Sequence, residues 1–200
     1  MKLQFLTLLL IVSAAARGQN IRLLQEFDKI PLNKQRYEIE GYMSGLTDFG
    51  NAEQSKYNYD KYTNTVYSGQ DHSSITLAFY DGVLYYKKLT IKYSIEQISN
   101  AKEEAENLKK YIVERNKVLS KSSGEVTNKV YGGAVGESSS YYLSKSLKNY
   151  IEKSVTFEAT LEFTTENDLT KAKLIGYEVL YQSVDLSNTT LDANTGFSTP

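Results

Sequence analysis

Cysteine and tryptophan are absent from this 200-residue chain, and histidine occurs once. Without cysteine there is no disulfide framework, so stability must come from a packed core. The same absence excludes a cysteine-anchored lipoprotein start and a Cys–His relay. The single histidine, His72, lies in the polar stretch Gly69–Ser74. It has no second histidine with which to build a metal site, and it reads as an exposed loop residue. Neither sign of charge is in surplus, with 23 Lys and Arg against 24 Asp and Glu. No Lys/Arg stripe stands out, so nucleic acid is excluded as the expected partner. The one long apolar run, Leu3–Val12, is shorter than the roughly 20 residues a membrane helix needs.

What that run does resemble is the core of a secretory signal. Met1-Lys2 precedes it, and Ser13, Ala14, Ala15 and Ala16 follow it. A charged start, a short greasy segment and a small-residue exit predict a cleaved signal peptide over residues 1–18, with cleavage after Ala16 or Gly18. The expected protein is therefore exported, periplasmic or secreted. Removing residues 1–18 leaves 182 residues and 21 basic against 24 acidic side chains. That is enough chain for a single domain over 19–184, with an Asn/Thr/Ser-rich tail over 185–200 that loses periodicity. No second long apolar segment exists, so no stable membrane span is expected in the mature chain. Asn188-Thr189-Thr190 is a glycan acceptor only in a eukaryote.

Seventeen tyrosines stand against no tryptophan. Tyrosine suits a half-buried strand, its ring packed and its hydroxyl wet. The ordinary reading is a Tyr-rich sheet, and the sharper one is an aromatic platform for a glycan or peptide.

Periodicity supplies the elements. Residues 19–30 open the domain and Pro31 breaks them. Asn33 is a candidate cap for a short helix carrying Tyr37, Ile39, Tyr42, Met43 and Leu46. Tyr57, Tyr59, Tyr62 and Val66 alternate with a slip, as in a bulged or edge strand. Asp81-Gly82 between 74–80 and 83–93 is a strong hairpin signal. A strict two-residue turn would split Leu84 and Tyr86 from Leu89, Ile91 and Tyr93. The second strand must then carry a bulge near Lys87-Lys88 or be covered on both faces. Ser94-x-x-Gln97 is a capping box opening a helix to Ser120, with Ile98, Ala101, Ala105, Leu108, Ile112 and Leu119 on one stripe. Lys121–Gly124 reads as a polar break, 125–131 as a short strand and Gly132–Gly136 as a turn. Residues 137–153 read as a strand followed by a helical turn. Val155 to Phe163 alternate cleanly, as do Ile175, Tyr177, Val179 and Tyr181. The sum is an α+β fold: a twisted antiparallel sheet of about six to seven strands with one long and one short helix on one face.

No catalytic constellation forms in the sequence. Gly41–Gly45 has the wrong spacing for a nucleophile elbow, and Gly133–Ser138 lacks the lysine of a phosphate loop. Glu158 and Glu162 lie roughly 13 Å apart along one strand and read as solvated charges. Asp192-x-Asn194-x-Gly196 lacks the closing glutamate of a calcium loop. No catalytic residue, metal ligand or cofactor is assigned. The expected function is a non-catalytic binding or assembly module of the bacterial envelope or exterior, with Tyr57, Tyr59, Tyr62, Tyr85 and Tyr86 as its ligand-binding surface. Its partner would be an envelope protein or glycan, and a homo-oligomer is compatible. The alternative is a secreted hydrolase of glycans using carboxylates alone, which requires two carboxyls about 5–10 Å apart in a deep pocket.

Overall fold

Eight antiparallel strands form one sheet in the computed structural model, in the order β1-β2-β3-β4-β8-β7-β6-β5. The structure describes residues 23–46, 49–55, 62–69, 72–143, 150–166 and 169–185, with 49–55 described by backbone alone. Helix α1 is described over 23–29. Then come α2 (Arg36–Ser44), β1 (Phe49–Ser55), β2 (Tyr62–Gly69), β3 (Ser73–Tyr80) and β4 (Val83–Tyr93). A 3-10 turn, Ile95–Gln97, leads into α3 (Ile98–Arg115). Strands β5 (Ser120–Thr127), β6 (Ala134–Tyr142), β7 (Ile151–Glu166) and β8 (Leu169–Asp185) complete the chain. The strand order reads the same from either edge. The first half is two helices followed by a four-stranded meander and the second is one helix followed by another, and the halves meet where β4 pairs with β8.

The fold class is as the periodicity predicts, with differences in detail. The sheet has one strand more than expected because Phe49–Ser55 forms β1 against β2, and the polar Lys121–Gly124 stretch belongs to β5. Pairing to β6 carries that stretch: Leu119 N–H already donates to the Tyr142 carbonyl, 2.8 Å, which also stops the long helix before Leu119. Ala134–Gly136 lie in β6 and not in the turn before it. Asn33 does not cap α2; Gln35 does, while Asn33 sits at φ 61° and donates its side-chain amide to Asp185. Asp185 is therefore the buried end of β8, not the start of a tail. The Ser94 capping box is present, with the Ser94 N–H donating to Gln97 Oε1 at 3.0 Å.

All three helices lie on one face. Leu24, Phe27 and Ile30 from the α1 region, Ile39 and Met43 from α2, and Ala101, Ala105, Leu108 and Ile112 from α3 are buried there. They meet Ile75, Leu77, Leu84, Leu89, Ile91, Val155, Val179 and Tyr181 from the sheet. The predicted α3 stripe is thus the docked one from Ala101 to Ile112, while Ile98 is half-buried and Leu119, beyond the helix, is exposed.

The face problem of the β3–β4 hairpin is solved by a bulge at Tyr85. Asp81 and Gly82 take φ of 50° and 78°, as a tight hairpin turn requires. Phe79 pairs with Leu84, but Ala78 pairs with Tyr86, so Tyr85 is the extra residue. The bulge falls two residues earlier than expected. Leu84, Lys87, Leu89 and Ile91 consequently share the helix-facing side with Phe79, Leu77 and Ile75.

Candidate functional site

The sheet's other face carries no helix among the described residues. Register defines its rows. Tyr62 pairs with Tyr80. The next row runs Ala78, Tyr86, Val184, Glu152 and Tyr142. Beyond it lie Thr76, Lys88, Gln182, Ser154 and Ser140, then Ser74, Thr90, Leu180, Thr156 and Ser138. Hydroxyls, one amide and tyrosines dominate, and Ser138 and Thr156 share a hydrogen bond of 2.9 Å. Ala78, Thr90, Thr156 and Leu180 are nonetheless buried. Each is flanked on its own strand by a longer side chain: Tyr80, Lys88, Glu158 and Gln182.

At one end of this face the tyrosines touch. Tyr62 and Tyr80 have ring centres 4.8 Å apart, Tyr62 and Tyr85 6.2 Å, and Tyr85 and Tyr86 6.4 Å. Consecutive residues of a regular strand point to opposite faces. The bulge sets two residues of β4 against Ala78 alone and turns both rings to one side. All four side chains are half-buried. Burial raises the pKa of the Tyr85 and Tyr86 hydroxyls, with Tyr62 adding to the first and Tyr85 to the second. These rings stay neutral, donating hydroxyls at physiological pH. Three of the five residues read from the sequence, Tyr62, Tyr85 and Tyr86, are brought together. Tyr57 and Tyr59 lie outside the described residues. Tyr80 was missed, although it closes β3 against Tyr62; the Tyr-Asp-Gly sequence at the hairpin end was its signal. A second pair, Tyr142 and Tyr150, has centres 5.9 Å apart. Tyr142 stands three strand spacings from Tyr86, roughly 14 Å.

Farther along the same face, Glu158 on β7 lies directly opposite Glu178 on β8. Glu158 is not the solvated charge its position in the sequence implied. Burial, then Glu178, raises its carboxyl pKa, against a smaller pull from Lys88. Glu178 is paired with Lys92 at 3.5 Å. On the helix side, Glu125 and Glu137 face one another across β5 and β6. They border a cleft of about 440 Å³ under α3, with Lys102, Lys109 and Phe157. Both glutamates are exposed, so that cleft is not the deep carboxylate pocket a glycosidase needs.

A large perturbation lies in the core. Lys87 is 3% exposed, on the helix-facing side of the central strand. Its ammonium donates to the carbonyls of Phe27, Asp28 and Ile30 at 2.9, 3.3 and 2.7 Å. Three N–H donors thus meet three carbonyls at the C-terminal end of α1, where the helix dipole favours a cation. Burial pulls the Lys87 pKa down to about 7, with Asp28 opposing and Lys153 reinforcing the fall. Asp28 in turn accepts from Lys153 and Tyr181, each at 3.1 Å. This network holds α1 to the sheet and is closed to solvent at Lys87, so it serves the fold. In the sequence Lys87 marks only the place where the apolar residues change face, by a bulge near Lys87-Lys88 or by cover on both faces, and nothing there signals its burial.

Among the described residues no group of three or more acidic or histidine side chains is placed to hold a metal, and no helix is long and apolar enough to cross a membrane. His72 is exposed at φ 59°, accepting the Lys92 N–H on its carbonyl at 3.1 Å. No family model, curated protein or solved structure matches this chain.

Proposed function

We propose that this protein is an exported, non-catalytic binding or assembly module that takes a glycan or an extended peptide on its open sheet face. One observation carries the reading: a bulge at Tyr85 gathers Tyr62, Tyr80, Tyr85 and Tyr86 on the side of the sheet opposite the helices. Rings held by strands lose little conformational entropy on binding, and a hydroxyl on each ring suits hydrogen bonding beside stacking. The Ser, Thr and Gln rows beyond the cluster offer further donors and acceptors along a bound chain. The signal-like start of the sequence supports an envelope or extracellular setting.

The test is direct titration with defined envelope glycans and with peptides. Tyrosine emission reports it, because the chain has no tryptophan. A Tyr62→Ser/Tyr85→Ser variant is expected to lose binding while its circular dichroism is retained. Unaltered binding by a folded double variant removes the platform.

The Glu158–Glu178 pair favours a second reading, a carboxylate hydrolase. Directly opposed cross-strand residues have Cβ atoms about 4.5–5.5 Å apart, within reach of the carboxyl spacing of a retaining glycosidase. The raised pKa of Glu158, caused first by burial, fits an acid. Turnover of a glycan that is lost in Glu158→Gln supports that reading over the first.

A further inference from the structure

The apolar stripe of β7 runs farther than the helices that cover it. Val155 is 0% exposed, yet Phe163, on the same side of the same strand, is 40% exposed. The cause is the length of the β7–β8 hairpin. β6 pairs with β7 only as far as Glu158, and β4 pairs with β8 only as far as Tyr177. Beyond those points the hairpin continues as a two-stranded arm, with β7 and β8 still paired out to Glu166 and Leu169. About eight residues per strand at roughly 3.3 Å each make it about 26 Å long.

Register makes the arm amphipathic. Leu161 faces Leu174 and Phe163 faces Ala172 on the side continuous with the core. Glu162 faces Lys173 on the other side, where Lys171 and Glu166 form an ion pair. An isolated two-stranded ribbon is marginal in water, and an apolar face on one needs a second layer.

We propose that the second layer is the same arm of another copy of this chain, stacked face to face across a two-fold axis. No described residue covers this face and it bears no charge, so its occupant is apolar, flat and as long as the ribbon. The arm itself has that shape. A two-fold stack buries Leu161, Phe163, Ala172 and Leu174 twice and leaves both charged faces outward, each with its acids and bases in balance. Stacked sheets sit about 10 Å apart, close to the depth of a helix layer on a sheet. The partner's arm therefore extends the layer begun by α3. It meets Ile95, 44% exposed in the 3-10 turn beside the arm's base. Gly176, at that base, lies so close to the Tyr93 carbonyl that a Cβ there would stand 2.5 Å from it. The arm's footprint is about 26 by 10 Å. Counting side-chain relief and Ile95, it buries on the order of 800 Å² over both copies, the range of weak, reversible interfaces. The arm shares no residue with the tyrosine cluster, so this proposal stands or falls apart from ligand binding there.

Sedimentation velocity on the mature chain from about 1 µM to 1 mM is expected to show a monomer–dimer equilibrium. Phe163→Glu is expected to weaken it at least tenfold with circular dichroism unchanged. The absence of native cysteine provides a second measurement. Phe163→Cys, on the apolar side midway along the arm, should form an intermolecular disulfide under mild oxidation; Thr164→Cys, on the charged side, should not. A monomer throughout, a dimer indifferent to Phe163→Glu, or equal cross-linking of the two cysteine variants overturns the proposal. So does a monomer that binds phosphatidylcholine vesicles through Phe163, which would assign the face to a membrane.

Discussion

The Lys87 ammonium sits 2.9 Å from the Phe27 carbonyl oxygen and 4.6 Å from the centre of the same residue's ring. One side chain of the central strand thus closes the end of α1 and packs on its last large aromatic. Phe27 in turn meets Tyr181 edge-on, with centres 5.6 Å apart. The contact ties a helix to two neighbouring strands through a charge buried in the core.

Lys87→Met keeps the stem and removes the donors. Leaving buried carbonyls unsatisfied costs about 1–3 kcal/mol, partly offset because no charge is then desolvated. A net loss in urea unfolding is expected, with increased amide exchange in α1. Unchanged or greater stability would show that the three hydrogen bonds do not hold the helix.

The same residue sets a pH dependence. Its native pKa, about 7, lies below its ordinary value of 10.5. Between those values the unfolded chain binds more protons, so stability rises with pH across that window, by at most about 1.4 kcal/mol per pH unit. Above about pH 10 the trend reverses, because the native pKa values of Tyr85, Tyr86 and Tyr181 are raised and the unfolded chain loses those protons first. Denaturant midpoints from pH 6 to 11 should trace a maximum on the alkaline side, and Lys87→Met should abolish the rise.

Deleting single residues from β4 tests the bulge. Removing Tyr85 leaves Leu84, Tyr86 and Lys87 on their present faces, so the protein should fold and lose only the Tyr85 ring contacts with Tyr62 and Tyr86. Removing Lys88 slips the rest of the strand by one residue and turns Leu89, Ile91 and Tyr93 outward. That variant is expected to be insoluble or unfolded. Equal tolerance of both deletions would contradict the register.

Leu108 is 2% exposed beneath the sheet. Leu108→Ala should cost about 2–5 kcal/mol. An unchanged midpoint would mean that α3 docks by another face.

Glu158→Gln removes one of two opposed carboxyls. The native pKa of Glu158 is raised above 4.5. The native state therefore holds that proton more tightly, and wild-type stability falls as pH climbs from 4.5 through the native value. Because the group is partly solvated, the gain in Glu158→Gln at pH 7 should be small, about 1–3 °C in Tm, vanishing near pH 4. A lower Tm at pH 7 would show that the carboxylate makes a contact worth more than the repulsion.

Local pattern was enough for much of this molecule. The 3.6-residue stripe of Ala101, Ala105, Leu108 and Ile112 specified α3 and its buried side, because helical geometry converts spacing directly into a face. Asp81-Gly82 specified the hairpin, because few residues tolerate positive φ. The clash of faces along 83–93 required a bulge near Lys87-Lys88 or cover on both faces, and pairing with β3 put the bulge at Tyr85. What spacing cannot report is how long each neighbour is. The alternation of Val155–Phe163 is uniform, yet its first half lies under helices and its second half is an uncovered arm, because β6 and β4 stop short. Pairing partners are equally invisible in sequence: Glu158 became half-buried by meeting Glu178 from a strand twenty residues away, and Lys87 found its acceptors at the end of α1. Tyr62, Tyr80, Tyr85 and Tyr86 were legible as strand tyrosines. Only the register of three strands and one extra residue made them a cluster, since contact between rings depends on which residues the backbone hydrogen bonds set side by side.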